Sequence, residues 1–320
     1  MTTDPIKRND DKFIVSKPNL LNKPRPVMTL HDATQRFLFE DTPIRGELTQ
    51  LETTLNDVFS KHNYPDTIKS LLGQFMAAAA MLSDTIKFEG TLSLQVRGAG
   101  QVRTIMAECR DNSAIRAIAQ YNDDFDEQGE LLGHGQMAIT IEPKKGQRYQ
   151  GVVPINDSEL SLAAVLEDYF QQSEQIRTRI WLFSNQHQSA GLMIQAMPSS
   201  ASESSLSSDA DLETWERVIH LASTTSEEEI LSLEPDVMLN RLFHEETVRV
   251  FEPRSLKFEC TCSKEKTANA VRTLGEDEAL DIVREMGHID LDCQFCREKY
   301  AFSAEDVVEL FKEPGDSTLN

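Results

Sequence analysis

The residues best suited to chemistry are four cysteines near the C-terminal end of this 320-residue chain. Cys260 and Cys262 form a C-x-C pair, and Cys293 and Cys296 form a C-x-x-C pair about thirty residues later. Each pair presents two sulfurs from one tight loop, and the intervening chain can bring the two loops together. Because a tetrahedral thiolate site needs this arrangement, the spacing predicts one Zn2+ held by all four cysteines.

The same spacing predicts that the site responds to oxidation. Zn–S bonds of about 2.3 Å leave tetrahedral sulfurs roughly 3.7 Å apart, so a small collapse is enough for a disulfide. Neighbouring cysteines can reach disulfide distance, and we expect the local pairs Cys260–Cys262 and Cys293–Cys296 as products. A module of about 45 residues also has too little core to fold alone, so zinc binding worth roughly 10–16 kcal/mol would supply its stability.

Two other functions fit the cysteines less completely. The C-x-x-C pair alone is typical of thiol–disulfide oxidoreductases, but this interpretation leaves Cys260 and Cys262 unexplained. A static zinc ribbon that recruits a protein or nucleic acid is the second, and its thiols would stay protected under mild oxidant. His288 is expected at the surface, since four thiolates already complete the tetrahedron. Cys109 lies on a predicted strand and is expected to be an inert buried thiol.

The composition limits the possible partners. A formal net charge of -21 repels phosphate polyanions on average, which disfavours nucleic acid. No apolar run is long enough for a signal sequence or membrane span, so we expect a cytoplasmic protein without a membrane partner. The chain has no G-x-x-x-x-G-K-[ST] loop, which predicts no nucleotide cofactor. His244-Glu245-Glu246 lacks the H-E-x-x-H spacing of a zinc protease, and we predict that the protein is not an enzyme.

The elements that must position the cysteines begin after a basic, proline-containing leader, residues 1–28, which is expected to be flexible. Residues 29–198 mix helical and strand periodicity, which predicts an α+β core domain. Apolar stripes predict one helix from Leu48 to Phe59 and another from Ile68 to Ile86. Further periodicity predicts a helix over 158–173 and strands over 92–96, 102–109, 136–141, 147–153, 179–183 and 192–196.

A serine-rich stretch from Pro198 to Ser205 marks the end of this core. The acidic residues 199–253 then carry three short apolar stripes, which predict a helical linker docked on the core. Residues 254–320, with the four cysteines, form the predicted zinc-binding redox-switch domain. The predicted architecture is therefore α+β, with a mixed helix and sheet core, a helical linker and a small zinc-binding domain.

Short motifs distributed from about Leu30 to Leu310 resemble those of one known family. Besides the two cysteine pairs, they are Arg36-Phe37-Leu38-Phe39-Glu40, Arg45-Gly46-Glu47-Leu48, Gly146-Gln147-Arg148-Tyr149-Gln150-Gly151-Val152-Val153, Leu166-Glu167-Asp168-Tyr169-Phe170, Ser173-Glu174-Gln175 and Leu242-Phe243-His244-Glu245-Glu246. The chain resembles the 33 kDa chaperonins, a family of redox-regulated heat-shock holdases. The resemblance leaves the basic leader and the last few residues unmatched.

The resemblance implies an ATP-independent chaperone that is inactive while reduced and zinc-bound. Peroxide with heat, or hypochlorite, would form the two local disulfides, release zinc and unfold the switch and linker. The active form would be a homodimer that binds unfolding client proteins and prevents their aggregation. The candidate client-binding residues lie on the linker stripes: Trp215, Val218, Ile219, Leu239, Leu242 and Phe243.

Overall fold

A computed structural model describes residues 13–15, 32–85, 89–155, 161–197, 206 and 208–312. It has two compact units, a large unit of residues 1–258 and a small unit of residues 259–320. Helices and sheets are both present in the described chain, which confirms the predicted α+β class. The predicted flexible leader lies outside the described residues, except for the strand Phe13–Val15.

The large unit contains most of the described strands. In chain order its elements are β1 (Phe13–Val15), β2 (Ala33–Phe39), β3 (Ile44–Leu51), α1 (Thr53–Phe59), α2 (Asp66–Thr85), β4 (Gly90–Gly98), β5 (Val102–Arg110), β6 (Ala114–Tyr121), β7 (Gly135–Pro143), β8 (Tyr149–Ile155), α3 (Leu162–Tyr169), β9 (Thr178–Ser184), β10 (Ser189–Ala196), α4 (Asp209–Ala222), α5 (Glu227–Ser232), α6 (Pro235–Phe243), β11 (Val248–Val250), β12 (Arg254–Ser255) and β13 (Lys257–Phe258). A π-helical turn, Phe170–Glu174, continues α3. None of the described helices is long and apolar enough to cross a membrane.

Two sheets enclose helix α2. The first sheet has the strand order β1-β11-β2-β3-β10-β9, with β12 also paired to β2, and the second has the order β13-β6-β5-β4-β7-β8. Helix α2 contacts strands of both sheets. Its run Ala77–Ala80 is buried on every side, because small side chains let both sheets approach the helix axis. The main core of the large unit therefore forms around α2.

The predicted helix from Leu48 to Phe59 is wrong in its first turn. Residues up to Leu51 belong to strand β3, which pairs with β2 and β10, and the helix α1 begins only at Thr53. Strand β3 is buried on both faces from Gly46 to Leu51, so it lacks the polar–apolar alternation that identifies a strand. Spacings of three between its leucines then imitate a helical stripe.

The other predicted core elements are confirmed in type. Helix α2 covers the stripe that begins at Ile68, although Ile86 lies outside the described residues. The predicted strands over 92–96 and 102–109 form the hairpin β4–β5, and those over 136–141 and 147–153 form the hairpin β7–β8. Strands β9 and β10 occupy the last two predicted strand segments. The helix predicted over 158–173 is α3 with its π-helical turn, and residues 158–160 are not described.

Helices α4, α5 and α6 pack on the first sheet, as the apolar stripes predicted. The ring of Phe243 lies 5.0 Å from that of Phe39 and 5.9 Å from that of Phe37, measured between ring centroids. The buried Gln50 amide of β3 donates to the carbonyls of Ile230 (2.7 Å) and Leu233 (2.9 Å) at the end of α5. Aromatic packing and these hydrogen bonds fix the three helices to the sheet.

The small unit has few buried residues. Its elements are α7 (Lys264–Leu274), α8 (Glu276–Met286), β14 (Ile289–Asp292), β15 (Lys299–Phe302) and α9 (Ala304–Lys312). Strands β14 and β15 pair as an antiparallel hairpin. The buried apolar side chains of the described small unit are Ala268, Val271, Ala279, Val283, Ile289, Phe302 and Val307. Such a core is too small to account for the unit's fold without a further source of stability.

Candidate metal centre

Cys260 and Cys262 lie in the loop that leads into helix α7. The Ser263 side chain caps this helix by accepting a hydrogen bond from the Lys266 backbone N–H at 3.3 Å. The Lys266 ammonium in turn donates to the carbonyl of Thr261 at 2.7 Å. These two bonds fix the C-x-C loop at the N-terminus of the helix, where the positive end of the helix dipole favours thiolates.

Cys293 and Cys296 lie in the turn that joins β14 to β15. The backbone N–H of Cys293 donates to the carbonyl of Glu298, and the N–H of Arg297 donates to the carbonyl of Cys293, both at 2.8 Å. Arg297 adopts a left-handed conformation, with φ of 61°. The resulting tight turn directs both sulfurs of the C-x-x-C pair to one side.

The two loops bring the four sulfurs together. Sγ of Cys260 lies 3.6 Å from that of Cys293, and Sγ of Cys262 lies 3.3 Å from that of Cys296. All four sulfurs lie within 4.8 Å of one another. A tetrahedral ion with M–S bonds of about 2.3 Å separates its sulfurs by roughly 3.7 Å, so these residues fit a four-thiolate metal site.

Burial and crowding shift the pKa values of the clustered thiols. Burial raises the pKa of Cys260, and burial together with the neighbouring thiols raises the pKa of Cys296. Burial also acts on Cys293, but hydrogen bonds from the backbone N–H groups of Cys296 and Phe295 outweigh it and lower the Cys293 pKa. The raised pKa values disfavour the thiolates of Cys260 and Cys296, and a divalent metal bound there would favour them.

Tyr300 extends the site in a way that the cysteine spacing did not reveal. Its hydroxyl donates to Sγ of Cys262 at 3.1 Å, and this bond raises the Tyr300 pKa. Such outer hydrogen bonds orient ligands and share their negative charge. Tyr300 lies on β15, four residues after Cys296, and the aromatic residue there was the available sequence signal.

His288 and Cys109, which the sequence placed outside the site, and the nearby Lys264 all lie outside the cluster. His288 contacts Asp290 at 2.9 Å and is exposed, which confirms the expected surface position. Lys264 forms a salt bridge with Asp306 at 2.9 Å and lies over the Phe302 ring, so its charge links α7 to α9. Cys109 is fully buried on β5, and burial raises its pKa to about 12. A thiol in that state is protonated at neutral pH, which agrees with the expected inert residue.

The linker residues proposed for client binding all belong to the apolar cluster between helices α4–α6 and the first sheet. Val218, Leu239, Leu242 and Phe243 are buried there. Trp215 and Ile219 are half-buried at its margin. In this conformation four of the six side chains are buried and two are partly exposed.

A buried acidic pair in the large unit was not anticipated from the sequence. The Glu47 side chain on β3 is fully buried beside that of Asp84 on α2. Burial and the Asp84 charge raise the Glu47 pKa well above its ordinary value, against the opposing charges of Arg36 and Arg45. Asp84 also pairs with Arg254 of β12 at 2.7 Å. Protonation of Glu47 removes the repulsion between the two buried carboxylates and lets Glu47 donate to Asp84.

Comparisons with known proteins agree with this architecture. The family model described as Hsp33 protein matches residues 32–303. A 33 kDa chaperonin from Azotobacter vinelandii is 42% identical over 295 residues, which cover 90% of this chain and 97% of the relative. A 33 kDa chaperonin from Pseudomonas syringae pv. tomato is 43% identical over 289 residues, which cover 89% and 95% of the two chains.

Similarity to a solved structure supports the fold assignment. The solved structure is the crystal structure of the 33 kDa chaperonin, a heat shock protein 33 homolog, from Thermotoga maritima. The match has a TM-score of 0.72 at 21% identity and covers 88% of this chain and 98% of that chain. Fold, four-thiol site and relatives together define the class as a chaperone, which is not an enzymatic class. The chain belongs to the Hsp33 protein family.

Proposed function

We propose that this chaperone is a redox-regulated, ATP-independent holdase of the cytoplasm. In its reduced form one Zn2+ on the four cysteines keeps it inactive. Oxidation by peroxide with heat, or by hypochlorite, forms disulfides within the pairs Cys260–Cys262 and Cys293–Cys296 and releases the ion. The switch domain (254–320) and the linker (199–253) then unfold, and a homodimer binds unfolding proteins. Nucleotides, nucleic acids and membranes take no part.

The observation that carries the proposal is the convergence of four sulfurs within 4.8 Å of one another in a unit with a very small apolar core. Metal binding then supplies folding free energy that burial does not, so loss of the metal unfolds the unit. Each disulfide forms when two thiols lose two protons and two electrons, and peroxide is reduced to water. Since metal binding needs all four thiolates, the oxidation state of the thiols sets the fold of the unit.

The proposed disulfides within each loop require the sulfurs to move. Two close sulfur contacts join the loops, Cys260 to Cys293 at 3.6 Å and Cys262 to Cys296 at 3.3 Å. Local disulfides therefore require each loop to rotate its two sulfurs toward each other. Loss of the central ion removes the constraint that holds the sulfurs at the corners of a tetrahedron.

The linker supplies the apolar surface for clients in this proposal. Its six candidate residues are Trp215, Val218, Ile219, Leu239, Leu242 and Phe243, all packed on the first sheet in this conformation. Unfolding of the linker would expose both these side chains and the sheet face beneath them. A large exposed apolar surface binds unfolded chains without nucleotide hydrolysis.

The proposal is tested by the aggregation of a heat-unfolding client enzyme, followed by light scattering. The protein is added either reduced and zinc-loaded or after treatment with peroxide at raised temperature. We expect suppression of aggregation only by the oxidised protein. Cys109→Ala is the matched control, because it removes a thiol outside the cluster and should leave the switch intact. Equal suppression by both redox states would contradict the proposal.

A further inference from the structure

The last segment of the large unit connects its two sheets. This segment, Phe251–Phe258, is called the strap. Its strand β12 pairs with β2 of the first sheet, and its strand β13 pairs in parallel with β6 of the second. Only Glu259 separates the strap from Cys260 in the sequence. The strap is therefore the part of the large unit that continues directly into the small unit.

The strap inserts alternate side chains at the edge of the second sheet. Leu256 is 5% exposed and belongs to the main core cluster, and Phe258 packs against the same cluster. Lys257 between them is exposed. Helix α1 contacts β13 from the other side, and the Lys61 ammonium lies 5.8 Å from the centroid of the Phe258 ring. The strap thus lies as an extended peptide in a groove between α1 and β6.

Backbone hydrogen bonds complete the binding of the strap. The N–H of Leu256 donates to the carbonyl of Asp32 at 2.8 Å, and the N–H of Lys257 donates to the carbonyl of Ser113 at 2.9 Å. The Asp32 carboxylate also accepts from the N–H groups of Thr53 and Thr54 at the start of α1. Main-chain pairing with pockets for alternate side chains is the way sheet edges bind extended peptides of varied sequence.

The pairing that holds the strap in this groove is short. β13 pairs with β6 only at Ala114 and Ile115. A two-residue pairing at a sheet edge frays readily unless the chain on both sides is held. The strap can therefore leave the edge by local opening, while the two sheets stay folded.

We propose that the groove between α1 and β6 is a docking site for extended client segments with apolar side chains two residues apart. In the reduced protein the strap occupies this groove as an internal competitor. The inference rests on the proposed holdase function and assigns it a client surface separate from the linker stripes. Recognition requires an apolar pair like that of Leu256 and Phe258 and is indifferent to the residue between them.

The first test measures peptide binding in trans by fluorescence anisotropy. The probe is a fluorescein-labelled peptide of residues 251–259 of this chain, and its control has serine in place of both apolar anchors. The full-length, reduced, zinc-loaded proteins are wild type, the double variant Leu256→Ser with Phe258→Ser, and the control variant Lys257→Ser. Zinc content and circular dichroism verify that each variant is folded.

We expect the double variant to bind the probe at least about tenfold more tightly than wild type, because its own strap no longer competes for the apolar groove. Lys257→Ser should behave as wild type, and the serine peptide should bind none of the proteins. A folded double variant that binds the probe no better than wild type would overturn the inference.

A second test needs no variant. The same peptide carries photoreactive benzoylphenylalanine at the position of Phe258 and is irradiated with oxidised wild-type protein. Crosslinks should map to residues of α1 or β6, and crosslinks confined to other elements would overturn the inference. Aggregation suppression is measured on the same oxidised sample. If aggregation is suppressed but the crosslinks map to other elements, only the proposed docking groove is refuted. If aggregation is not suppressed, the holdase function itself is refuted.

Discussion

The two units of this protein are stabilised in different ways. The large unit surrounds helix α2 with two sheets and fully buries large side chains such as Phe37 and Phe75. The described part of the small unit buries seven apolar residues, two of them alanines, and places four thiols within 4.8 Å of one another. Burial accounts for the first fold, and under the proposed function a metal on the four thiols stabilises the second. An oxidant that acts on thiols can therefore unfold the small unit and leave the core around α2 folded.

Among the substitutions that distinguish the two units, loss of one sulfur ligand should have the largest effect. Cys262→Ser removes a thiolate from the cluster, and with it a large part of a metal-binding free energy of roughly 10–16 kcal/mol. We expect loss of bound zinc and of hydrogen-exchange protection in residues 264–312, whereas α2 keeps its protection. Cys109→Ala is the control and should keep its zinc. A Cys262→Ser protein with full protection in α7 to α9 would show that the small core suffices.

A substitution in the core around α2 should weaken the large unit and leave the small unit unchanged. Phe75 is fully buried on α2, and Phe75→Ala should destabilise the large unit by about 3–5 kcal/mol through lost burial and a residual cavity. Zinc affinity of the small unit should not change. Chemical denaturation with far-ultraviolet circular dichroism measures the first quantity, and chelator competition measures the second. Gln74→Ala, at the neighbouring half-buried position, should change stability by less than about 0.5 kcal/mol.

The buried acid pair should make the stability of the large unit depend on pH. Burial and Asp84 raise the pKa of Glu47, so the folded state holds a proton that the unfolded state releases. The stability contributed by this proton is present below the ordinary glutamate pKa and is lost as pH rises through the raised pKa. Thermal unfolding at a series of pH values should show this loss in wild type, with a difference of a few degrees (~2–4 °C), and not in Glu47→Gln.

A matched control for the acid pair is Glu127→Gln, since Glu127 is an exposed residue of the same unit. It should keep the wild-type dependence of melting temperature on pH. A Glu47→Gln protein whose melting temperature follows the wild-type pH curve would show that Glu47 is ionised throughout, and that its charge is balanced by Arg36 and Arg45.

The smallest expected effect concerns Tyr300, whose hydroxyl donates to Sγ of Cys262. Tyr300→Phe removes this bond without altering the four ligands. Loss of an outer hydrogen bond weakens metal sites by about tenfold or more, and competition with a chromogenic chelator should show that change. Tyr149→Phe, at an exposed position of the large unit, should leave zinc affinity unchanged. Equal zinc affinities of the two variants would show that the Tyr300 hydroxyl does not stabilise the metal site.

Local spacing in the sequence predicted those features that depend on local geometry. The cysteine pairs, helix α2 and the two hairpins follow from periodicities and loops within about thirty residues. Strand β3 was missed because both its faces are buried, which removes the alternation.

The strands β11, β12 and β13 are two or three residues long and pair with strands more than a hundred residues earlier. No local sequence pattern predicts such pairings. For the same reason the sequence did not reveal that Glu47 and Asp84 meet, or that Tyr300 reaches the cluster. These contacts are set by the tertiary fold.

The contrast between the two units is tested most directly by one time course on the full-length protein treated with peroxide at raised temperature. Zinc release, thiol loss and hydrogen exchange in α2 and in α7–α9 are followed together with client aggregation. We expect zinc release, thiol loss, loss of protection in α7–α9 and the onset of aggregation suppression to coincide, while α2 stays protected. Suppression that begins while zinc and all four thiols are retained would contradict the account.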